Sequence, residues 1–234
     1  HTRYGTVTGV QTCALPIFND GAEIVGSGGG STSVNDAISA INVGTGVKLT
    51  GYNFAEKART ANAVVAGSAA TINFWNGQNG QALIKALNGS STATNLGNWL
   101  ASNFGNVYGN LAGQTNTQIA ALFKTYYAQS NKVNAQMLAT ALSVYVTDSD
   151  FASTTATSYG FTVNKDGLSI QTVNVGNNGE AFGLADNTIA TVWQLLQRIN
   201  SLSSGNVILA GNSTVQMMAI NVLNAINSVG NKNS

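Results

Sequence analysis

The sequence is poor in the residues that most enzyme chemistry requires. It contains one histidine, one cysteine and one proline, which are His1, Cys13 and Pro16. Charged residues make up only 8% of the chain. A serine-histidine-aspartate triad, a cysteine-histidine pair and an ordinary zinc site each need histidine or cysteine. Beyond residue 18 the chain has neither, so these three kinds of site are excluded there.

The first residues resemble a sequence that does not belong to the protein. Residues 7–17 read Val-Thr-Gly-Val-Gln-Thr-Cys-Ala-Leu-Pro-Ile, which resembles the in-frame translation of a widely used short-read sequencing adapter. We therefore expect residues 1–18 to be an unstructured assembly artefact of metagenomic reads, and we expect the true N-terminus to be missing. The alternative is a real amphipathic leader, although the stretch lacks the charged start and long apolar core of a signal peptide.

The composition favours a folded protein with an uncharged polar surface. Apolar residues make up 44% of the chain, too many for a disordered protein of such low charge. Without Arg3 the ten basic residues become nine, equal to the nine acidic residues. Scattered basic residues argue against nucleic acid as a partner, and no apolar run is long enough to span a membrane. Such surfaces are typical of secreted and cell-surface proteins.

The first part of the chain has the texture of strands. We predict a flexible linker over residues 19–36, because it contains Gly-Ser-Gly-Gly-Gly-Ser-Thr. Alternating apolar residues then predict a β-hairpin over 37–56 that turns at Gly44-Thr-Gly46. Residues 38–56 resemble the closing strands of an SdrD B-type repeat, an Ig-like β-sandwich module of bacterial surface proteins. Ala55 stands where that pattern usually has glycine.

A small-residue connector over 57–70 leads to a junction at residues 70–84, where the composition changes. Phe74 and Trp75 are followed at once by a run of Asn, Gly and Gln, which predicts a turn with aromatic side chains at its edge. An aromatic face and nearby amides are the residue types of a sugar platform. The candidate ligand-binding residues are Phe74, Trp75, Asn76, Gln78, Asn79 and Gln81. The alternative is that one ring belongs to the core and the other plugs a hinge.

After the junction the apolar period becomes helical. We predict helices over 81–87, 93–104 and 133–147, with the last at the centre of the fold because it is apolar on most sides. Thr115 and Gln118 form a capping-box pattern. Asp186 is the predicted N-cap of a helix over 187–200, and Asn212 or Ser213 that of a terminal helix. Residues 161–175 read as a hairpin that turns at Lys165-Asp-Gly167.

Carboxylates offer the remaining route to catalysis. A glycosidase needs two carboxyl groups across a cleft, and nothing in the spacing of Asp148, Asp150, Glu180 and Asp186 places two of them in that way. Asp148 and Asp150 favour turn and cap roles, with weak Ca²⁺ ligation as the alternative. The glycine-rich residues 175–183 lack the Lys-Ser/Thr of a phosphate-binding loop, so we interpret them as a structural turn.

The chain from Ala70 onward resembles a helical module found near the end of large secreted bacterial proteins, often after Ig-like repeats. The residues that carry this resemblance are 70–84, Leu96-Gly-Asn-Trp-Leu-Ala101, Ala139-Thr-Ala-Leu-Ser-Val-Tyr-Val146, Ser158-Tyr-Gly-Phe-Thr-Val163 and Asn174-Val-Gly-Asn-Asn-Gly-Glu-Ala-Phe-Gly183. Asn73 and Asn76 depart from the module's usual residues, so no metal site is carried over. The resemblance implies a location and an architecture, without an activity.

The sequence thus predicts a mainly α fold: a domain of about five helices over 71–230 with an inserted β-hairpin, preceded by the remnant of an Ig-like repeat. We expect a non-catalytic, secreted or cell-surface module for structure or adhesion, monomeric within a longer bacterial chain. It would have no cofactor and no metal, and its partners would be extracellular glycans or other surface proteins. The alternatives are a carbohydrate-binding module that uses the Phe74/Trp75 turn and, third, a carboxylate-based hydrolase.

Overall fold

The chain divides into two compact units, residues 1–60 and 61–234. The structure, a computed structural model, describes residues 18–34, 37–58 and 62–231. The boundary between the units falls inside the predicted connector 57–70. The expectation that residues 1–18 are unstructured lies outside the described residues, apart from Phe18, which begins the first strand.

The first unit consists of two small antiparallel strand pairs. Strand β1 (Phe18–Ile24) pairs with β4 (Asn53–Ala58), and β2 (Ser31–Val34) pairs with β3 (Ala37–Ser39). The β1–β4 register is interrupted between Asp20 and Glu23. The two strands of the longer pair therefore come from distant parts of the sequence.

Two predictions for this unit are wrong. The expected linker over 19–36 contains most of β1 and all of β2, and the expected hairpin over 37–56 does not form, because its two arms pair with earlier strands. The Tyr52 side chain explains the difference: its hydroxyl donates to the Gly29 carbonyl (2.9 Å) and accepts from the Gly28 amide (3.1 Å). These bonds hold the glycine-rich loop beside the start of β4, which brings β1 alongside it.

The second unit is mainly helical, as predicted. It contains α1 (Ile72–Asn76), α2 (Gln78–Ala86), α3 (Asn95–Tyr108), α4 (Asn116–Ala128), α5 (Val133–Thr147), α6 (Ser149–Ala152), α7 (Val192–Ser201) and α8 (Ser213–Val229). Short 3₁₀ turns occupy Leu87–Gly89, Thr155–Tyr159, Gly176–Phe182 and Ile208–Gly211. One antiparallel pair joins β5 (Thr172–Asn174) to β6 (Ile189–Thr191). The described helices outnumber the five expected, chiefly because short ones were missed.

Helix α5 is the centre of this unit. Every residue from Ala135 to Thr147 is buried, which confirms the prediction drawn from its all-round apolar pattern. It packs against α8, α4, α7 and α1. Four polar residues of α5, Gln136, Thr140, Ser143 and Thr147, are buried as well, and their side chains bond to backbone or to other side chains. The core is therefore held by directed bonds as well as by apolar contact.

Local capping patterns identified several helix starts correctly. The capping box of Thr115 and Gln118 forms at the start of α4. Asn212 caps α8 by accepting from the amides of Thr214 and Val215. Gly89 adopts a left-handed φ of 80° after α2, the conformation for which glycine is favoured after a helix.

Two other local predictions are wrong. Residues 161–175 do not form a hairpin, since β5 pairs with β6 instead of with residues before it. Asp186 does not cap a helix: α7 begins at Val192 and is capped by Thr191, whose hydroxyl accepts from the Gln194 amide while the Gln194 side chain accepts from the Thr191 amide. Strand β6 lies between Asp186 and α7, and the Asp186 carboxylate accepts from the Gly179 amide (3.1 Å).

Candidate functional site

The junction is helical, so the predicted turn is wrong. Thr71 caps α1 by accepting from the Phe74 amide (3.4 Å). Gly77 then ends α1 and begins α2, with its amide donating to the carbonyls of Asn73 (2.9 Å) and Phe74 (3.0 Å). A single extended residue between two helical segments therefore replaces the loop that the Asn/Gly/Gln composition had predicted.

Close packing at Gly80 fixes the angle between the two helices. A Cβ atom on Gly80 would lie 2.3 Å from the Phe74 carbonyl oxygen and 2.5 Å from the Trp75 Cα. Real Cβ atoms do not approach backbone so closely, so any side chain would force α1 and α2 apart. The glycine in this run is needed for close helix packing, and it is not a turn residue.

Trp75 lies in the core. Its side chain is 0% exposed, and its ring packs near Phe161 (centroids 5.7 Å apart) and Phe74 (5.2 Å). Its indole Nε1 is buried and has no hydrogen-bond partner among the described residues. No indole face is open to a sugar in this structure, and Trp75 therefore takes the core position of the alternative interpretation.

The other five candidate residues are divided between the core and the surface. Gln81 is 7% exposed, and its side-chain amide donates to the Trp75 carbonyl (2.9 Å). Phe74 and Asn76 are half-buried, whereas Gln78 and Asn79 are exposed. Only the half-buried ring of Phe74 and the surface amides remain accessible together. A ligand-binding role for this set stays a prediction.

The structure adds a polar cluster beside the junction that the sequence did not indicate. The Tyr127 hydroxyl donates to the Asn73 side-chain oxygen (3.0 Å), which joins α4 to α1. The Lys132 ammonium lies 5.0 Å from the centre of the Tyr127 ring and donates to the Tyr127 carbonyl. The lysine therefore covers one face of this ring. Asn73 is distant in sequence from Tyr127 and Lys132, so no local motif indicates that the three side chains meet.

The helical unit also carries an apolar groove of about 330 Å³. Its walls come from residues 63–64, from β5 and β6, and from the last turns of α8; the main aliphatic residues are Val64, Val173, Ile189, Ile226 and Val229. Ile189 is 68% exposed and Val229 59% exposed. The lining, all within the described part of the chain, has no ionisable side chain. The sequence did not indicate this groove, because the predicted helix over 187–200 includes Ile189, which lies in strand β6.

Two of the four carboxylates considered for catalysis, Asp148 and Asp186, accept hydrogen bonds from backbone amides. Asp148 is buried and accepts from the Asp150 amide (2.8 Å), which caps α6 as the turn-and-cap interpretation predicts. In the glycine-rich residues 175–183 a 3₁₀ turn forms, and a Cβ on Gly179 would lie 2.5 Å from the Leu184 carbonyl oxygen. Both segments therefore have a structural explanation.

The resolved pKa shifts in the described residues fall on three tyrosines. Burial raises the pKa of Tyr108 well above its ordinary value, and the charge of nearby Tyr126 adds to the rise. Burial also raises the pKa of Tyr126. It raises the pKa of Tyr145 too, against an opposing hydrogen bond from the Tyr145 hydroxyl to Asn88. These shifts extend the neutral state of the three phenols to higher pH, as expected for buried side chains.

Over residues 18–34, 37–58 and 62–231, no three His, Cys, Asp or Glu side chains gather in a way that would bind a metal ion. The helices in those ranges are too short or too polar to cross a membrane. Comparisons of the chain with protein families, curated proteins and solved structures find no match.

Proposed function

We propose that the chain is a non-catalytic, secreted or cell-surface module for structure or adhesion within a larger bacterial protein. The observation that carries this proposal is the structural use of its polar groups. Asp148 caps α6 and Asp186 bonds a loop amide, so two of the four carboxylates that offered a hydrolase mechanism serve the fold. The low charge, 8% of residues, is typical of the uncharged surfaces of extracellular modules.

The test begins with the complete reading frame, re-assembled after adapter removal. The full protein is then expressed in a bacterial host, and intact cells are treated with an external protease. We expect the protein in the medium or on the surface, where the protease digests it. A protein that stays protected in the cytoplasm, encoded by a frame without secretion signal or extracellular repeats, would refute the proposal.

Binding of a neutral glycan at the junction is the second candidate. It is supported by the exposed amides of Gln78 and Asn79 beside the half-buried ring of Phe74. On a glycan array the unchanged chain should bind, and the double substitution Gln78→Ala and Asn79→Ala should weaken binding. The matched control is Asn177→Ala, which removes an exposed amide in the 3₁₀ turn Gly176–Phe182. Equal binding by the double variant and the control would eliminate this site.

A further inference from the structure

The segment that leads into the helical unit is paired in parallel at both of its ends. Near its start, Ala63 forms a parallel bridge with Thr172 of β5: the Thr172 amide donates to the Asn62 carbonyl (2.8 Å), and the Val64 amide donates to the Thr172 carbonyl (3.1 Å). Near its end, Ala69 forms a parallel bridge with Asn231, which follows α8. The first and last described parts of this unit are therefore neighbours that run in the same direction.

One carbonyl oxygen holds the second pairing. The Gly230 carbonyl accepts from the amides of Gly67 (3.0 Å) and Ala69 (2.9 Å). The segment is further fixed because the Gly67 carbonyl accepts from the Thr162 amide (2.9 Å) and the Ala70 amide donates to the Ser143 hydroxyl (3.3 Å). Residues 67–70 and Gly230 are all buried. Water therefore has little access to compete for these bonds.

The close approach requires glycine at position 230. A Cβ atom there would lie 2.7 Å from the Ala69 Cβ and 2.9 Å from the Ala69 amide nitrogen. The backbone of Gly230 has φ −74° and ψ −4°, a conformation open to any residue. The requirement is therefore for space between the paired segments, and it does not come from the backbone angles.

We propose that the pairing of Gly67 and Ala69 with Gly230 is a mechanical clamp that resists tension along the chain. When the chain before residue 62 and the chain after residue 231 are pulled apart, parallel neighbours are drawn past each other along their own axes. Their hydrogen bonds are then loaded together, in shear. If the terminal segments were antiparallel, both pulled ends would lie at the same edge of the pair, and the hydrogen bonds would be loaded and broken one after another. The proposed function of the clamp is to keep the helical unit folded while the chain is under tension. It rests on the proposed role of this unit as a module within a longer surface protein.

The clamp is tested by single-molecule force spectroscopy on the full chain. Cys13→Ser removes the one cysteine of the chain, and handles are attached through Asn62→Cys and Asn231→Cys. A second molecule carries the handles at Ala112→Cys and Thr154→Cys, two exposed positions whose connecting chain excludes both sides of the clamp. Forced unfolding reports the barrier along the pulling direction, and we expect the 62/231 geometry to need at least about twofold more force. An equal or lower force at 62/231 would overturn the clamp.

Variants separate the clamp from general stability. Gly230→Ala should lower the unfolding force in the 62/231 geometry and leave the 112/154 geometry nearly unchanged. The control Val229→Ala alters an exposed neighbouring side chain and should change neither force. An unchanged 62/231 force in Gly230→Ala would also refute the proposal; if that variant does not fold, the comparison of the two geometries decides alone. Pulling on purified protein is independent of cellular location, so the clamp and the surface role can fail separately.

Discussion

At the scale of single residues, uncharged polar side chains and glycines act as parts of the core. Asn116 is fully buried, and its amide donates to the carbonyls of Leu87 (2.7 Å) and Ser90 (2.8 Å). It thereby ties the start of α4 to the turn that follows α2. Composition alone assigns such residues to turns, because asparagine and glycine are frequent there. Their role here depends on partners that are distant in the sequence.

Gly80→Ala should destabilise the helical unit by about 2 kcal/mol or more, since the added methyl group would collide with the backbone of α1. The matched control is Gly105→Ala in α3, where a Cβ atom meets nothing within 4 Å. That change should stabilise the protein by about 0.5–1 kcal/mol, because alanine favours the helix. Urea unfolding of both variants measures the two free energies. Equal effects would show that the contact at Gly80 is not formed.

The buried phenol of Tyr108 predicts a loss of stability at alkaline pH. Burial raises the pKa of Tyr108 in the folded protein, whereas the unfolded chain ionises near pH 10. Tyr108 therefore contributes its full stabilisation below about pH 10 and loses it progressively as the pH rises toward the folded pKa. Urea midpoints measured from pH 8 to 11 should fall less steeply in Tyr108→Phe than in the unchanged protein. Parallel pH profiles would contradict this assignment.

At the scale of helices and strands, local patterns were informative and long-range pairings were not. The α5 pattern, the Thr115 capping box and the Asn212 cap depend on residues within one or two turns, and each could be read from the sequence. The Thr191 and Gln194 capping box was also readable, but the nearby Asp186 was preferred. Helix α1 was missed because it is a single turn among asparagine and glycine residues.

The strand pairs could not be predicted because their partners are remote. Thr172 pairs with Thr191, and Phe18 with Ala58. Alternation of apolar residues shows that a segment suits a strand, yet it does not identify the neighbouring strand. The prediction of the candidate site failed for the same reason. The sequence locates Trp75 in the junction, but it does not show that the Trp75 ring is buried against the distant Phe161. Both failures concern contacts that only the folded chain defines.

A polar network joins α5 to α8 and should specify how these helices align. The Asn227 side chain is 0% exposed; it donates to the Gln136 side-chain oxygen (2.8 Å) and accepts from the Thr140 hydroxyl (3.0 Å). Asn227→Ala should cost about 1–3 kcal/mol, because it leaves the buried Gln136 side-chain oxygen without its hydrogen-bond donor. Asn224 is exposed, and its side-chain oxygen accepts from the side-chain amide of Gln136 (3.1 Å). Asn224→Ala should therefore cost about 1 kcal/mol or less. Chemical denaturation compares the two, and similar costs would contradict a buried network.

At the scale of the whole molecule, the helical unit is the larger of the two compact units. It contains the buried apolar core from Ala69 to Ile226, the groove and the parallel pairing of its two ends. A unit with its own core is expected to fold without its neighbour. The proposed role as a structural module, and the clamp within it, both require such independence.

The most direct measurement is therefore the folding of residues 61–234 alone. Its thermal unfolding and amide hydrogen exchange are compared with those of the full chain. We predict one cooperative transition, a midpoint within about 4 °C of the highest transition of the full chain, and the slowest exchange in α5. A fragment that unfolds without a cooperative transition, or whose α5 amides exchange freely, would contradict the account.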